Sequence, residues 1–152
     1  MTRLNTTYLG MKLRSPIVVS ACTLSEEVDN IVRMEDAGAG AVVMFSMFEE
    51  QIRKEEMRME AIMQSTNNVF ADASDFFPDL DEYHVATAQY LETVRMAKER
   101  VKIPIIGSLN GITPKGWIDY AKQLEQAGAD ALEVNIFYIP ADIRLSGVEV
   151  EQ

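Results

Sequence analysis

Neutral polar side chains stand at the ends of several short apolar runs in this sequence. The polar residues are Ser20, Ser46, Ser108, Asn110 and Asn135, and the small residue Ala21 lies beside Ser20. Hydroxyl and amide groups are hydrogen-bond donors and acceptors that suit the edge of a planar heterocyclic ligand. They do not suit a metal ion or a pair of acid–base carboxylates, so we expect no metal site.

The apolar runs themselves predict the buried strands of a parallel sheet. They cover residues 16–21, 41–45, 103–111 and 131–136. Each run is almost continuously apolar, as is typical of strands that are covered on both faces. Because the carboxyl ends of parallel strands meet at one edge, the polar side chains are expected to converge on a common mouth.

Helical patterns separate these predicted strands. Ser25 is a candidate N-cap for a helix that ends at Gly38, a position that favours a left-handed residue. Thr113 followed by Pro114 predicts the start of another helix, which ends at Gly128. A further helix is predicted over residues 87–100.

An internal repeat favours a barrel. The stretch MEDAGAGAVVM, residues 34–44, resembles LEQAGADALEV, residues 124–134. Both copies predict a helix end, a glycine turn and a buried strand, which indicates repeated (β/α) units of a TIM-type barrel. A flavodoxin-like open sheet is the alternative, although no Gly-rich phosphate loop follows the first strand.

The number of predicted strands indicates a single domain, 1–152, that forms about half a barrel. Four core strands are predicted, whereas a complete barrel has eight strands and typically about 250 residues. Residues 45–86 are predicted to leave the barrel as an excursion with an amphipathic helix that carries Ile52, Met59 and Met63 on its apolar side. Open sheet edges predict self-association into a homo-oligomer.

Composition excludes several classes of partner. The net charge is −10, which disfavours binding to nucleic acid. A single cysteine, Cys22, allows no intramolecular disulfide bond and fits a reducing, cytoplasmic compartment. No run approaches the roughly 20 apolar residues of a membrane span, so no membrane partner is expected.

Four stretches closely resemble the dihydroorotate dehydrogenase-like family: TTYLGMKLRSPIVVSACTLSE, EDAGAGAVVMFSMFEEQI, IPIIGSLNGITPKGWIDYAKQLEQAGADALEVNIFYIP and LSGVEVEQ. The resemblance runs from about Thr6 to the last residue and corresponds to the N-terminal half of the family's chain. It implies a flavoprotein (β/α)8 barrel with FMN lying across its top. Residues 6–13 would then be a small hairpin that plugs the bottom of the barrel.

The resemblance also implies a function and a site. It implies an FMN-dependent oxidoreductase that oxidises a small planar or carbonyl-containing metabolite, as in pyrimidine biosynthesis. The residues implied to meet the flavin are Ser20, Ala21, Ser46, Ser108, Asn110 and Asn135. A chain with only part of this site is expected to be inactive, or nearly so, on its own.

Departures from the family pattern concern the catalytic groups. The family places a lysine just after the second strand, where this sequence has Phe45, and a second asparagine where it has Pro140. NIFYIP contains no thiol; Tyr138 lies nearest to the position of the family's proton-abstracting residue, but a phenol with an ordinary pKa of about 10 is a poor base at neutral pH.

The residues alone leave two other functions possible. One is a non-catalytic half-barrel that self-associates through its open sheet edges. The other is a non-flavin barrel enzyme such as an aldolase or isomerase, which would need a lysine or a carboxylate at a strand tip. Glu133 is the inward-facing candidate for that carboxylate.

Overall fold

The computed structural model describes residues 4–49, 52–54, 57, 85–111, 113–136, 144 and 146–150. Its strands are β1 Thr6–Tyr8, β2 Met11–Leu13, β3 Val18–Val19, β4 Ala41–Phe48, β5 Ile105–Asn110 and β6 Ala131–Val134. Its helices are α1 Val28–Asp36, α2 Val85–Arg100, α3 Pro114–Gln126 and α4 Gly147–Val150, with a 3-10 turn over Thr23–Glu26. Within these residues, none of the helices combines the length and apolar character needed to cross a bilayer.

Strands β3 to β6 form one parallel sheet, and their order in space is their order along the chain. Sequential parallel order with a helix after each strand is the arrangement of a TIM-type barrel. A flavodoxin-like sheet places its second strand outside its first, so that alternative does not describe this chain. The predicted fold class, parallel (β/α) units amounting to about half a barrel with a small N-terminal hairpin, is confirmed.

The sheet has two different faces. Helices α1, α2 and α3 cover the outer face, where Val42, Met44, Ile105 and Leu109 are buried in the main apolar core. The inner face carries a smaller cluster of Leu13, Ala41, Val43 and Ile106. Because strand side chains alternate between faces, the odd positions of β4 point inward as far as Val43 and the even positions outward.

A β-bulge interrupts this alternation in β4. Val43 pairs with Ile106 and Ser46 pairs with Ser108, so β4 has one more residue than β5 between the two pairs. Phe45 thereby joins the outer core, with its ring centroid 4.7 Å from that of Tyr90. The predicted second strand ended at Phe45, whereas β4 continues to Phe48.

The internal repeat is reproduced in the backbone. Both turns place a glycine in the left-handed region, Gly38 at φ 101° and Gly128 at φ 97°. In each turn three consecutive N–H groups donate to carbonyls of the preceding helix, from Ala37, Gly38 and Ala39 in the first and Ala127, Gly128 and Ala129 in the second. The matching sequences therefore fold into matching helix-to-strand turns.

The residue after each of these turns links it to the preceding strand. Gly40 donates its N–H to the Ile17 carbonyl at 2.7 Å, and Asp130 donates its N–H to the Ile105 carbonyl at 2.8 Å. Gly40 has no room for a side chain, because a Cβ there would collide with the carbonyl of Ser15. These backbone bonds attach each turn to the N-terminal edge of the sheet, where Arg14 and Asp130 add side-chain bonds to the Ala39 carbonyl and the Ile105 N–H.

The predicted hairpin over residues 6–13 is present as antiparallel β1 and β2. Its two-residue turn has positive φ at Leu9 (49°) and at Gly10 (78°), as a tight hairpin turn of this length requires. Leu13 packs against Ala41, the first residue of β4, on the inner face. The role of the hairpin as a plug of a closed barrel stays a prediction.

The helix starts were predicted with mixed success. Thr113 caps α3 as predicted, since its side chain accepts the N–H of Gly116 at 3.0 Å. Ser25 does not cap α1: it is buried in the 3-10 turn, where its hydroxyl donates to the Cys22 carbonyl, and Glu27 takes the cap position without a side-chain hydrogen bond. Most of the predicted excursion, including Met59 and Met63, lies outside the described residues.

Candidate functional site

The inner face carries a polar cluster near the carboxyl ends of β4, β5 and β6, and Ser108 lies at its centre. The hydroxyl of Ser108 donates to Glu133 Oε1 at 3.1 Å and accepts from Asn135 Nδ2 at 3.1 Å. It also lies 2.9 Å from Ser46 Oγ. A hydroxyl has one donor and two acceptor positions, and these three partners use all of them when Ser46 donates.

The bulge in β4 brings Ser46 into this cluster. Regular alternation from Val43 would turn Phe45 inward and Ser46 outward. The extra residue reverses the assignment, so that the hydroxyl of Ser46 meets that of Ser108 on the inner face. β-Bulges that re-aim a side chain in this way are over-represented next to active sites.

Strand β6 contributes the carboxylate and the amide. Glu133 pairs with Ser108 in the parallel register, and both side chains point to the inner face. Asn135 follows β6 directly, and its N–H donates to the Leu109 carbonyl at 3.0 Å. This backbone bond continues the ladder beyond the strand and fixes the direction of the Asn135 side chain.

Asn110 ends β5 one alternate position beyond Ser108 and pairs with Phe48. Its Oδ1 is buried and has no hydrogen-bond partner within the part of the chain that the structure describes. Leaving such an acceptor unpaired costs about 1–3 kcal/mol, so a buried amide oxygen in this state indicates a missing donor.

Ser20 and Ala21 follow β3 at the same end of the sheet. Ala21 packs against the inner-face apolar cluster, whereas Ser20 is exposed. The predicted site residues therefore share one end of the parallel sheet, and direct side-chain hydrogen bonds join three of them: Ser46, Ser108 and Asn135.

Tyr90 of α2 supports the cluster from the outer face. Its hydroxyl donates to the Ser108 carbonyl at 3.4 Å and accepts the Ser108 N–H at 3.1 Å, beside the register shift of β4. Burial raises the pKa of Tyr90 to about 12, with a further contribution from the negative charge of Glu133 and an opposing one from the bond to Ser108. The phenol therefore stays neutral, and its hydroxyl bonds the N–H and C=O of Ser108 beside the bulge.

The predicted catalytic candidate and the position of the family's lysine fall elsewhere. Tyr138 lies outside the described residues. Phe45, where the resemblance places a lysine, packs its ring against Tyr90 in the outer core.

Sequence reasoning missed the supporting roles of Tyr90 and Glu49. Tyr90 fits a plain apolar stripe on its helix, and Glu49 belongs to a charged stretch that follows the second strand. Glu49 is nevertheless 3% exposed and accepts hydrogen bonds from Thr113. The available signal was that the residue directly follows a strand end, although its carboxylate points to the start of α3 rather than to the inner face.

A cleft of about 660 Å³ lies among the helices rather than at the inner face. Its walls come from α2, α3 and the residues after β4, among them Ile52, Thr87, Leu91, Tyr120 and Gln123. The polar cluster of Ser46, Ser108, Glu133 and Asn135 does not line it, so the cleft and the candidate site are separate features.

The cluster can bind and orient a ligand through neutral groups held around one carboxylate. Ser46, Asn110 and Asn135 are half-buried at the edge of the inner face, where a flat ring could meet them. Fixed hydroxyl and amide groups read the hydrogen-bonding edge of a heterocycle without a change of charge.

Comparison with known proteins gives two distant relatives, and no protein-family model matches the chain. The chain is 24% identical over 136 residues to the catalytic subunit of dihydroorotate dehydrogenase B (NAD(+)) from Thermoplasma acidophilum, which covers 90% of this chain and 42% of that protein. The corresponding protein of Thermoplasma volcanium is 25% identical with the same coverage. The chain thus spans less than half the length of these curated relatives, and the predicted resemblance to dihydroorotate dehydrogenases is confirmed.

Proposed function

We propose that the inner-face end of the sheet holds the ring system of FMN, in an oxidoreductase similar to dihydroorotate dehydrogenase. The substrate would be a small planar or carbonyl-containing metabolite of the kind found in pyrimidine biosynthesis, and the setting would be the cytoplasm. The buried Oδ1 of Asn110 carries the proposal, because it has no donor among the described residues and the N–H of an oxidised flavin ring would supply one.

The residues present fit the polar edge of a flavin. Asn110 would accept from a ring N–H, and the hydroxyl of Ser20 would donate to a ring carbonyl oxygen. The hydroxyl of Ser46 gives its proton to Ser108 and would face the ring as an acceptor. Asn135 would approach the ring or the substrate from β6, and Ala21 would leave space for the ring. Ser108 would hold Ser46 and Asn135 in place rather than touch the ring, because its hydroxyl already has three partners.

Bound flavin would supply a hydride acceptor, and the protein would supply orientation and exclusion of water. The carboxylate of Glu133 accepts a hydrogen bond from Ser108, so it would hold the cluster together rather than contact the flavin. Tyr138 would be the candidate for moving the substrate proton. With less than half of the relatives' length, this chain is expected to bind FMN weakly and to turn over substrate poorly or not at all.

Titration with FMN tests the proposal. We expect quenching of flavin fluorescence by the wild-type chain, and binding about tenfold weaker in Asn110→Ala. Asn30→Ala is the matched control, because that exposed amide donates to the Leu24 carbonyl and is not part of the polar cluster. Absence of quenching by the wild-type chain would reject FMN binding by these 152 residues.

We also propose self-association as a second, non-catalytic role that the chain could serve. Strands β3 and β6 form the two edges of the sheet, and Ile17, Val134 and Ile136 beside them are 63%, 46% and 91% exposed. Exposed apolar residues on open edges favour pairing between copies. Light scattering during size-exclusion chromatography would show a dimer or larger species, and a strict monomer at all concentrations would reject this role.

A further inference from the structure

We infer that Glu49 is a positioning residue for the β5–α3 loop, the segment that directly follows Asn110. Glu49 follows β4 directly and is 3% exposed. A buried carboxylate must be hydrogen-bonded to be tolerated, so its partners show what it stabilises. Those partners lie 64 residues further along the chain, at the start of α3.

The carboxylate of Glu49 accepts hydrogen bonds from both donors of Thr113, the backbone N–H and the hydroxyl. The Thr113 N–H donates to Glu49 Oε2 at 2.9 Å, and the Thr113 hydroxyl donates to Oε1 at 2.6 Å. The same hydroxyl oxygen accepts the N–H of Gly116 at 3.0 Å. Glu49 therefore completes the cap of α3 from outside the helix, where the helix dipole favours a negative charge.

Close packing makes this contact specific to its residue types. A Cβ on Gly116 would collide with the carboxylate of Glu49, so the glycine gives the acid access to the helix start. On the other side of the loop, a Cβ on Gly111 would lie 2.7 Å from the indole of Trp117. The indole and the carboxylate thus hold the loop from two sides.

The loop between these two contacts follows Asn110, the last residue of β5. Asn110 pairs with Phe48, the last residue of β4, and Glu49 directly after β4 bonds Thr113. The ends of the two strands and the start of α3 are therefore connected at neighbouring positions. Loss of the Glu49 bond would free the start of α3 and, with it, the direction of the Asn110 amide. The consequence for flavin binding rests on the proposed function, whereas the consequence for the loop does not.

The test compares Glu49→Gln with a matched control, Glu35→Gln. The carboxylate of Glu35 also accepts a backbone N–H, that of Lys102 at 2.9 Å, but beyond the opposite end of β5. Hydrogen exchange of individual amides is measured by NMR in both variants, and FMN affinity is measured by fluorescence. Thr113→Ser serves as the conservative variant, because it keeps the hydroxyl.

We expect Glu49→Gln to accelerate exchange at Gly111 and Thr113 about tenfold, while Ile105 and Ile106 stay within twofold of wild type. FMN should bind about tenfold more weakly to this variant, and Thr113→Ser should behave as wild type.

Unchanged exchange at Gly111 and Thr113, or equal acceleration along all of β5, would overturn the inference. Glu35→Gln giving the same loop effect as Glu49→Gln would overturn it as well. If the wild-type chain binds no FMN, the proposed function fails for this chain, and the exchange measurements still decide the role of Glu49.

Discussion

The two ends of the parallel sheet are held by different means. At the N-terminal edge, the turns around Gly38 and Gly128 repeat the same backbone hydrogen bonds, and the side chains of Arg14 and Asp130 add bonds to backbone groups. At the C-terminal edge, the strands are joined by side chains that differ from strand to strand, with Ser108 in the centre.

This difference separates the residues that maintain the fold from those that are available for a ligand. Backbone turns can be repeated in every (β/α) unit because they need only a glycine and a small neighbour. A ligand site needs different groups from different strands, so repetition ends at that edge. Stability and binding should therefore respond separately to substitutions at the two ends.

The largest effect is expected from Gly40→Ala at the N-terminal edge. The added Cβ collides with the Ser15 carbonyl and should cost about 3 kcal/mol of unfolding free energy, as overpacking of rigid backbone does. Urea denaturation measures this loss. Gly147→Ala is the control, since its Cβ would meet nothing within 4 Å. If the protein that remains folded bound FMN with altered affinity, the two ends of the sheet would not respond separately, and the comparison would be wrong.

A smaller loss is expected from Ser108→Ala at the C-terminal edge. This variant removes the hydroxyl that donates to Glu133, a bond to a charged group that is worth about 2.5 kcal/mol. Ser46 and Asn135 also lose their shared partner, so FMN binding should weaken together with stability. Denaturation and titration on the same sample measure both, and wild-type FMN affinity would contradict the role of Ser108 as organiser.

Tyr90 links the two faces and gives a pH test. Its pKa is raised to about 12 from the model-peptide value of 10, so the folded state favours the neutral phenol. The stability that this provides is fully present below pH 10 and is lost as the pH rises through 12, by roughly 3 kcal/mol.

Tyr90→Phe isolates this contribution. The variant should be less stable than wild type at pH 8, because Ser108 loses its partner for N–H and C=O. The difference should shrink between pH 10 and 12, since only the wild type then ionises at this position. A difference that stays constant over this range would show that Tyr90 does not titrate with a raised pKa.

The smallest effect is expected from Leu9→Asn in the hairpin. Leu9 is 62% exposed and adopts φ 49°, a conformation that asparagine tolerates better than leucine. We expect a gain of about 0.5 kcal/mol, seen as a small rise in Tm. FMN affinity should not change, because the substitution lies in the hairpin and not in the polar cluster. A change in FMN affinity would contradict the separate roles of the two ends of the sheet.

Local signals in the sequence predicted much of the fold. Thr113 followed by Pro114 specifies a helix start from adjacent residues, and Gly38 and Gly128 specify turns whose hydrogen bonds are almost entirely local. Ser25 misled the prediction because its hydroxyl has a competing partner three residues back, at the Cys22 carbonyl.

The site could be predicted in outline, and the contacts within it could not. Strand order places Ser46, Ser108 and Asn135 at one end of the sheet, which the sequence predicted correctly. Pairing across strands is not encoded locally: Glu49 meets Thr113 over 64 residues, and Tyr90 meets Ser108 from another layer. A polar Ser46 also resembled a strand end, although it lies within β4 beyond the bulge.

The bulge in β4 affects how this strand is to be aligned with others. Counting residues past Val43 matches Phe45 to the position where the family places its lysine. In space, however, the single inserted residue moves the inward direction to Ser46. An alignment of β4 with another parallel strand that counts residues without a gap therefore matches inward positions to outward ones beyond Val43, whereas a one-residue gap at the bulge keeps Ser46 among the inward positions.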